Sequence, residues 1–275
     1  MTRIKLARTL MLAALLPLSA ACSDDDSTTG SPTAPGTGSG GDGGDVTLSL
    51  AVAAPAFQAT RTGSPALFDV VIGDGASELV LTRVAMVLRE IELEQQFDDD
   101  CDDRISGFDD ECEEFNSGPR ILELPLDGSV EQVLAIDGVP ADTYDEIEFD
   151  IHKPEDDTAE DIAFLQQNPD FRRVSIRVEG TWNGEPFVYL TDLNEEQEMP
   201  LVPPLVVTEG GSPVNVTFRV DLDGWFRALD GSLVDPRTAN EGGANESLVE
   251  ENIERSIDLF EDDDRDGDDD SSDDD

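Results

Sequence analysis

The sequence predicts a mainly β protein: a single β-sandwich with a short inserted helix and a C-terminal amphipathic helix. Three observations predict it. Apolar residues recur at every second position in short segments, the period of strands buried on one face. Glycine- and Asx-bearing turns separate those segments, as between the strands of a sandwich. Helical spacing is confined to two short stretches.

The elements follow in chain order. Arg3, Lys5 and Arg8 precede an apolar run at 10–18, and Ser19-Ala20-Ala21 lead into Cys22. A basic start, a short apolar run and small residues are the parts of an export signal. The run is too short to span a bilayer as a mature helix. Because the stretch ends on cysteine, it resembles a bacterial lipoprotein signal. That resemblance implies a signal at 1–21, lipid attachment at Cys22 and an exported protein of the cell envelope, at the outer membrane. The motif prefers a large aliphatic residue three before the cysteine, where this chain has Ser19. Cleavage near Ala20 or Ala21 as an ordinary secretory signal is the other reading. Residues 22–45 are rich in Gly, Ser, Thr, Pro and Asp and hold no large apolar residue. They read as a disordered tether, followed by an acidic sandwich domain over 46–260 and an acidic tail over 261–275.

Val46, Leu48, Leu50 and Val52 alternate with smaller or polar residues, and "LFDVVI" at 67–72 is a short apolar run. Residues 78–94 are mostly aliphatic, but the apolar parity switches near Leu88, from Val84 and Met86 to Ile91 and Leu93. Such a switch predicts a bulge or a change of sheet within one long strand. Cys101 and Cys112 bracket a short polar loop, and in an oxidising compartment the pair closes a disulfide. A loop of that size gains about 3 kcal/mol in the chain-entropy model. The alternative is two free thiols. "RILELPL" and "EQVLAI" flank Asp127-Gly128 and predict a hairpin-like turn.

At 139–151 the sequence reads "VPADTYDEIEFDI". A Val-Pro, a small turn, a Thr-Tyr pair and an alternating strand resemble the middle of an uncharacterised bacterial lipoprotein domain family. The similarity extends loosely over 46–222, and this chain has Ala141-Asp142 where the family carries a glycine. The resemblance implies a transthyretin-like or immunoglobulin-like sandwich and an envelope address, with no established activity.

Further on, Val174, Ile176 and Val178 lead to Asn183-Gly184, a strong hairpin signal. Val214, Val216, Phe218, Val220 and Leu222 form the clearest strand. Thr158 with Asp161 predicts a capping box opening a helix that ends at Asn168-Pro169. A second helix is predicted from about Ser247, with Glu250 completing its box. Val249, Ile253, Ile257 and Phe260 make one apolar stripe, and that stripe packs on the sandwich.

Charge and missing residue types limit the chemistry. The net charge is −47, with acids concentrated at 98–115 and 262–275 and abundant throughout. Such a field repels nucleic acid and anionic headgroups, which leaves the lipid anchor as the membrane contact. Lysine occurs only at Lys5 and Lys153, a composition also suited to a salty medium. His152 is the single histidine, and with the two cysteines left beside Cys22 it supplies too few ligands for an ordinary His/Cys zinc site. The sequence has no G-x-S-x-G elbow. Trp182 and Trp225 fit a core or a sugar-binding surface. The function expected is a non-catalytic binding or structural module whose protein or carbohydrate partner the sequence does not name. The alternative is an envelope hydrolase with paired carboxylates.

Calcium is the cofactor the sequence suggests. An EF-type loop takes oxygens from positions 1, 3, 5, 7, 9 and 12, with glycine at 6. Counting from Asp262 places Asp264, Asp266, Asp268, Asp270 and Asp273 at the later ligand positions, and Gly267 at 6. Asp268 would contribute its backbone carbonyl, and Asp273 is shorter than the usual bidentate Glu. The helix ending at Phe260 would lead in, and affinity would be weak, ~0.1–1 mM. A solvated acidic tail accounts for the same residues. The carboxylates of 98–115 are a second, less ordered candidate.

Overall fold

A computed structural model describes residues 43–59, 68–96, 113–115 and 118–269. Cys22, Cys101, Cys112, Asp270 and Asp273 lie outside the described residues. In chain order the elements are β1 (Gly43–Ala53), β2 (Phe57–Ala59), β3 (Phe68–Gly73), β4 (Glu78–Gln95), β5 (Glu113–Phe115), β6 (Arg120–Glu123), β7 (Glu131–Pro140) and β8 (Thr143–Ile151). There follow α1 (Ala159–Gln167), β9 (Ile176–Trp182), β10 (Glu185–Thr191), β11 (Glu195–Val206), β12 (Val214–Asp221), α2 (Glu246–Glu254) and β13 (Ile257–Glu261).

These strands form two sheets that pack as a β-sandwich. The smaller sheet has the order β13-β12-β1-β7, with β1 and β12 parallel. The larger is organised around β4, flanked on one side by β9 and β8 and on the other by β3, β6 and β5. Val46, Leu48, Leu50, Val216, Phe218 and Val220 from the small sheet meet Ile147, Phe149 and Ile151 from the large one in a single core. The Phe149 and Phe218 rings pack edge to face at 5.0 Å across the interface, a favoured geometry for buried aromatics.

The parity switch in β4 is a bulge. The register shifts between Arg89 and Ile91, and Glu90 takes φ 46°. Val84, Met86 and Leu88 before it and Ile91 and Leu93 after it therefore all reach the sandwich core. A methyl group on Gly180 would sit 1.9 Å from the Val80 carbonyl oxygen, so β9 crosses β4 there without a side chain. Asn183 and Gly184, at φ 50° and 82°, turn the β9–β10 hairpin as expected; both central residues of such a turn need positive φ.

Asp127-Gly128 turns the chain but closes no hairpin. β6 pairs with β4, whereas β7 pairs with β1, so this turn carries the chain from one sheet to the other. The β7–β8 connection carries it back, because β8 pairs with β4 and β11. Buried Tyr144 donates its hydroxyl to the Pro140 carbonyl at 3.1 Å and so fixes that corner. β11 was hidden in the sequence by three prolines and a run of acids, composition that suits an edge strand.

Helix α1 forms where predicted. Thr158 Oγ1 accepts from the Asp161 amide at 3.0 Å, but the Asp161 carboxylate does not return the bond to its cap. It lies 2.8 Å from His152 Nε2 and also accepts from the Glu155 amide. Phe164 and Leu165 of α1 cover Ala85 and Val87 on the outer face of the large sheet. The second helix is shorter than its apolar stripe implies and ends at Glu254. Ile257 and Phe260 belong instead to β13, which pairs with the edge of β12. Pairing with an exposed strand satisfies their backbone groups, and Ile257 and Leu259 still join the core. The capping box expected at its start does not form: Asn245 is the N-cap, and Glu250 accepts from Thr191 Oγ1 instead. Among the described residues no helix is long and apolar enough to cross a membrane.

Candidate cation-binding loop

The acidic segment starts where β13 ends, so a strand leads into it, not a helix. Thr47 and Ser49 of β1 and Asn215 and Thr217 of β12 point away from the sandwich core, since their neighbours Leu48, Leu50, Val216 and Phe218 fill it. They are nonetheless buried. The Asn215 amide oxygen accepts from Thr47 Oγ1 and Ser49 Oγ, both at 2.8 Å. Its Nδ2 donates to the Asp262 carbonyl at 2.8 Å. Alternation marks these residues as outward-facing, and nothing in the alternation says that the acidic segment covers them.

Asp262 is the centre of the loop and is 0% exposed. Its Oδ2 accepts from Thr217 Oγ1 at 2.7 Å and from the Gly267 amide at 3.1 Å, and its Oδ1 accepts from the Asp266 amide at 3.0 Å. Asp264 Oδ1 also accepts from the Asp266 amide, at 3.2 Å, and Asp266 Oδ1 accepts from the Asp268 amide at 2.9 Å. These bonds wind the backbone around the carboxylates. One oxygen each from Asp262, Asp264 and Asp266 lies within 4.8 Å of the other two. Asp268 is exposed and its carboxylate stands outside that group.

Two backbone positions permit the winding. Arg265 takes φ 60° and Gly267 φ 84°, the left-handed region that glycine enters without strain. A Cβ at Gly267 would also stand 3.0 Å from Val130 Cγ2. Arg265 is the nearest cation in sequence, yet its guanidinium donates to Thr47 Oγ1 at 3.2 Å. Among the described residues no cationic side chain pairs with Asp262. A buried carboxylate without a counter-charge is costly even when hydrogen-bonded.

Acids cluster elsewhere too. On the outer face of the large sheet Glu148 stands between Glu92 and Glu198 on the adjacent strands, and Glu146 opposite Glu94. Burial, reinforced by neighbouring glutamates, pushes the Glu148 carboxyl above its usual range, and burial raises Glu146 likewise. Those glutamates line an open sheet face. A cleft of about 540 Å³ lies elsewhere and includes Arg219, Asp221, Asn252 and Asp258 in its walls. Trp225 is fully buried with Nε1 donating to Ser256 Oγ at 2.7 Å, and Trp182 is half-buried against the core. Both therefore serve packing.

These features define a two-sheet β-sandwich with an acidic turn sealed onto the outer face of its smaller sheet. Comparison with known family models, with curated proteins and with solved structures finds no match to this chain.

Proposed function

We propose that this protein is a lipid-anchored, non-catalytic module of the cell envelope that binds calcium through Asp262, Asp264 and Asp266. The observation that carries the calcium reading is the buried Asp262 carboxylate. Among the described residues it has no cationic partner, and two further carboxylates converge on it. Hard oxygen ligands at positions 1, 3 and 5 suit calcium, and the Asp268 carbonyl stands at position 7. Thr217 and Asn215 support the reading by fixing the first ligand to a strand, which reduces the ordering that binding must impose. The ion would seal a polar face of the sandwich, a structural role. The anchor reading rests on the residues before Cys22.

Calorimetric titration of the full chain with calcium tests the site, alongside an Asp264→Asn/Asp266→Asn variant. Both substituted residues are exposed, so the fold should survive. Calcium at 10 mM should stabilise the wild type by ~2 kcal/mol, or roughly 4–8 °C in Tm, with a smaller gain in the variant. Equal heats and equal Tm gains for the two chains would overturn the loop assignment. Mass spectrometry of the native N-terminus tests the anchor: a diacylated or triacylated Cys22 is expected, and an unmodified terminus at Ala21 or Cys22 would refute it.

A further inference from the structure

The outer face of the smaller sheet divides in two. The acidic loop seals one half, where Asp262 bonds to Thr217 and Asn215. The other half is concave. Val52, Val220, Ile257 and Leu259 fill the core, so alternation turns Ala53, Arg219, Asp221 and Asp258 to the opposite face. With Asn252 and Arg255 from the end of α2 they wall the cleft of about 540 Å³. That volume falls within the roughly 300–1,000 Å³ of small-molecule sites. Small residues make the room: β1 contributes only the Ala53 methyl, and a Cβ built on Gly224 meets nothing within 4 Å.

In a chain of charge −47, the walls of this cleft are balanced. Arg219 Nη2 donates to Asp258 Oδ2 at 2.9 Å, and the guanidinium lies 4.9 Å over the Phe260 ring, which fixes its plane. Arg255 Nη2 donates to Asn252 Oδ1 at 3.2 Å, and its Nη1 approaches Glu251 at 3.6 Å. Asp221 Oδ1 accepts from the Asp223 amide at 2.9 Å, and the carboxylate shares the field of Arg227. Each charge thus has an opposite charge at hand. Hydrogen-bonding capacity is left over: among the described residues Arg219 Nε and Nη1, Arg255 Nε and Asp221 Oδ2 make no hydrogen bond.

Such walls select a class of ligand. An anion meets Asp221, Asp258 and the field of the whole chain. A cation meets two guanidinium groups. What the cleft offers is directional donors and acceptors together, and a hydroxyl is the neutral group that uses both. Hydrogen bonds from hydroxyls to charged partners are also the stronger kind. Ile257 and Ala53 add apolar surface for C–H groups.

We propose that this cleft binds a neutral carbohydrate, with Arg219 and Arg255 donating to its hydroxyls and Asp221 accepting from them. The site shares a sheet face with the Asp262 loop but uses none of its residues, so the loop variant Asp264→Asn/Asp266→Asn should bind sugar as the wild type does.

The test screens the labelled full chain on an array of immobilised glycans, neutral ones beside uronic-acid and sulfated ones. Retention on neutral glycans is expected, with none on the anionic ones. Titration with the best-retained neutral oligosaccharide then compares variants. Asp221→Ala and Arg255→Ala, both at exposed side chains, should each raise Kd roughly tenfold. Gly224→Leu adds bulk where the backbone leaves open space and should abolish binding. All three should keep Tm within about 2 °C of the wild type. Retention of no neutral glycan, retention of anionic glycans alone, or unchanged Kd in all three variants overturns the proposal. Failure of the calcium assignment reads separately, in the calcium titration.

Discussion

Tyr144 sets the corner at which the chain leaves one sheet for the other. Its ring is buried, and its hydroxyl holds the Pro140 carbonyl across a four-residue step, the logic of a tyrosine corner. Tyr144→Phe keeps the packing and removes that bond. It should cost about 1 kcal/mol, or ~2–4 °C in Tm, read by thermal unfolding. Gly267→Ala should cost about as much, because it combines a strained φ with a close contact to Val130, and calcium should then bind more weakly in titration. At this scale the sequence was legible where a residue type has one common use. The Asp262, Asp264 and Asp266 spacing was visible, as was the Thr158 cap. The Glu92, Glu148 and Glu198 group was not, because its members are ordinary on their own and only strand pairing brings them together.

Among the elements, the glutamate-lined strands β4, β8 and β11 have the sharpest consequence. Glu148 and Glu146 have raised pKa values, first through burial, so the folded state holds their protons more tightly than the unfolded chain does. Acidification from neutral pH into the window just above the ordinary carboxylate range therefore stabilises the fold. Asp74 works in the opposite sense. Amides of Leu233, Ser77 and Ala76 lower its pKa to about 2, and that stability is lost as pH falls from the ordinary carboxylate range toward 2. Tm should accordingly peak on the acidic side of neutrality. Glu148→Gln should raise Tm by roughly 1–3 °C at pH 7 and have less effect near pH 5. Element type was readable wherever one period dominated, as in β1, β8 and β12. It failed where two periods fitted the same residues. Val249, Ile253, Ile257 and Phe260 make a helical stripe, yet Ile257 and Leu259 also alternate, and the open edge of β12 decides the matter. Strands β6 and β7 were each legible, but their partners were not, since a turn signal fixes a bend and says nothing about which sheet receives the next strand.

For the molecule as a whole, the 275-residue chain carries a net charge of −47, and self-repulsion at that level opposes compaction. Raising sodium chloride from about 20 mM to about 1 M should raise Tm through screening alone, in the wild type and in the calcium-site variants alike. Calcium should add to this at matched ionic strength, where magnesium adds less, and differential scanning calorimetry separates the two. The mainly β architecture followed from alternation and turns, whereas the parallel pairing of β1 with β12 did not, because those strands are far apart in sequence. That pairing has a mechanical consequence. Val46–Ala53 of β1 run in register with Val214–Asp221 along the same direction, while β7 grips the other edge. A pull on the chain ahead of Gly43 therefore enters at an inner strand. It loads the whole parallel ladder at once in shear instead of peeling its hydrogen bonds singly. The strand best placed to resist traction is the one a tethered protein would be pulled by.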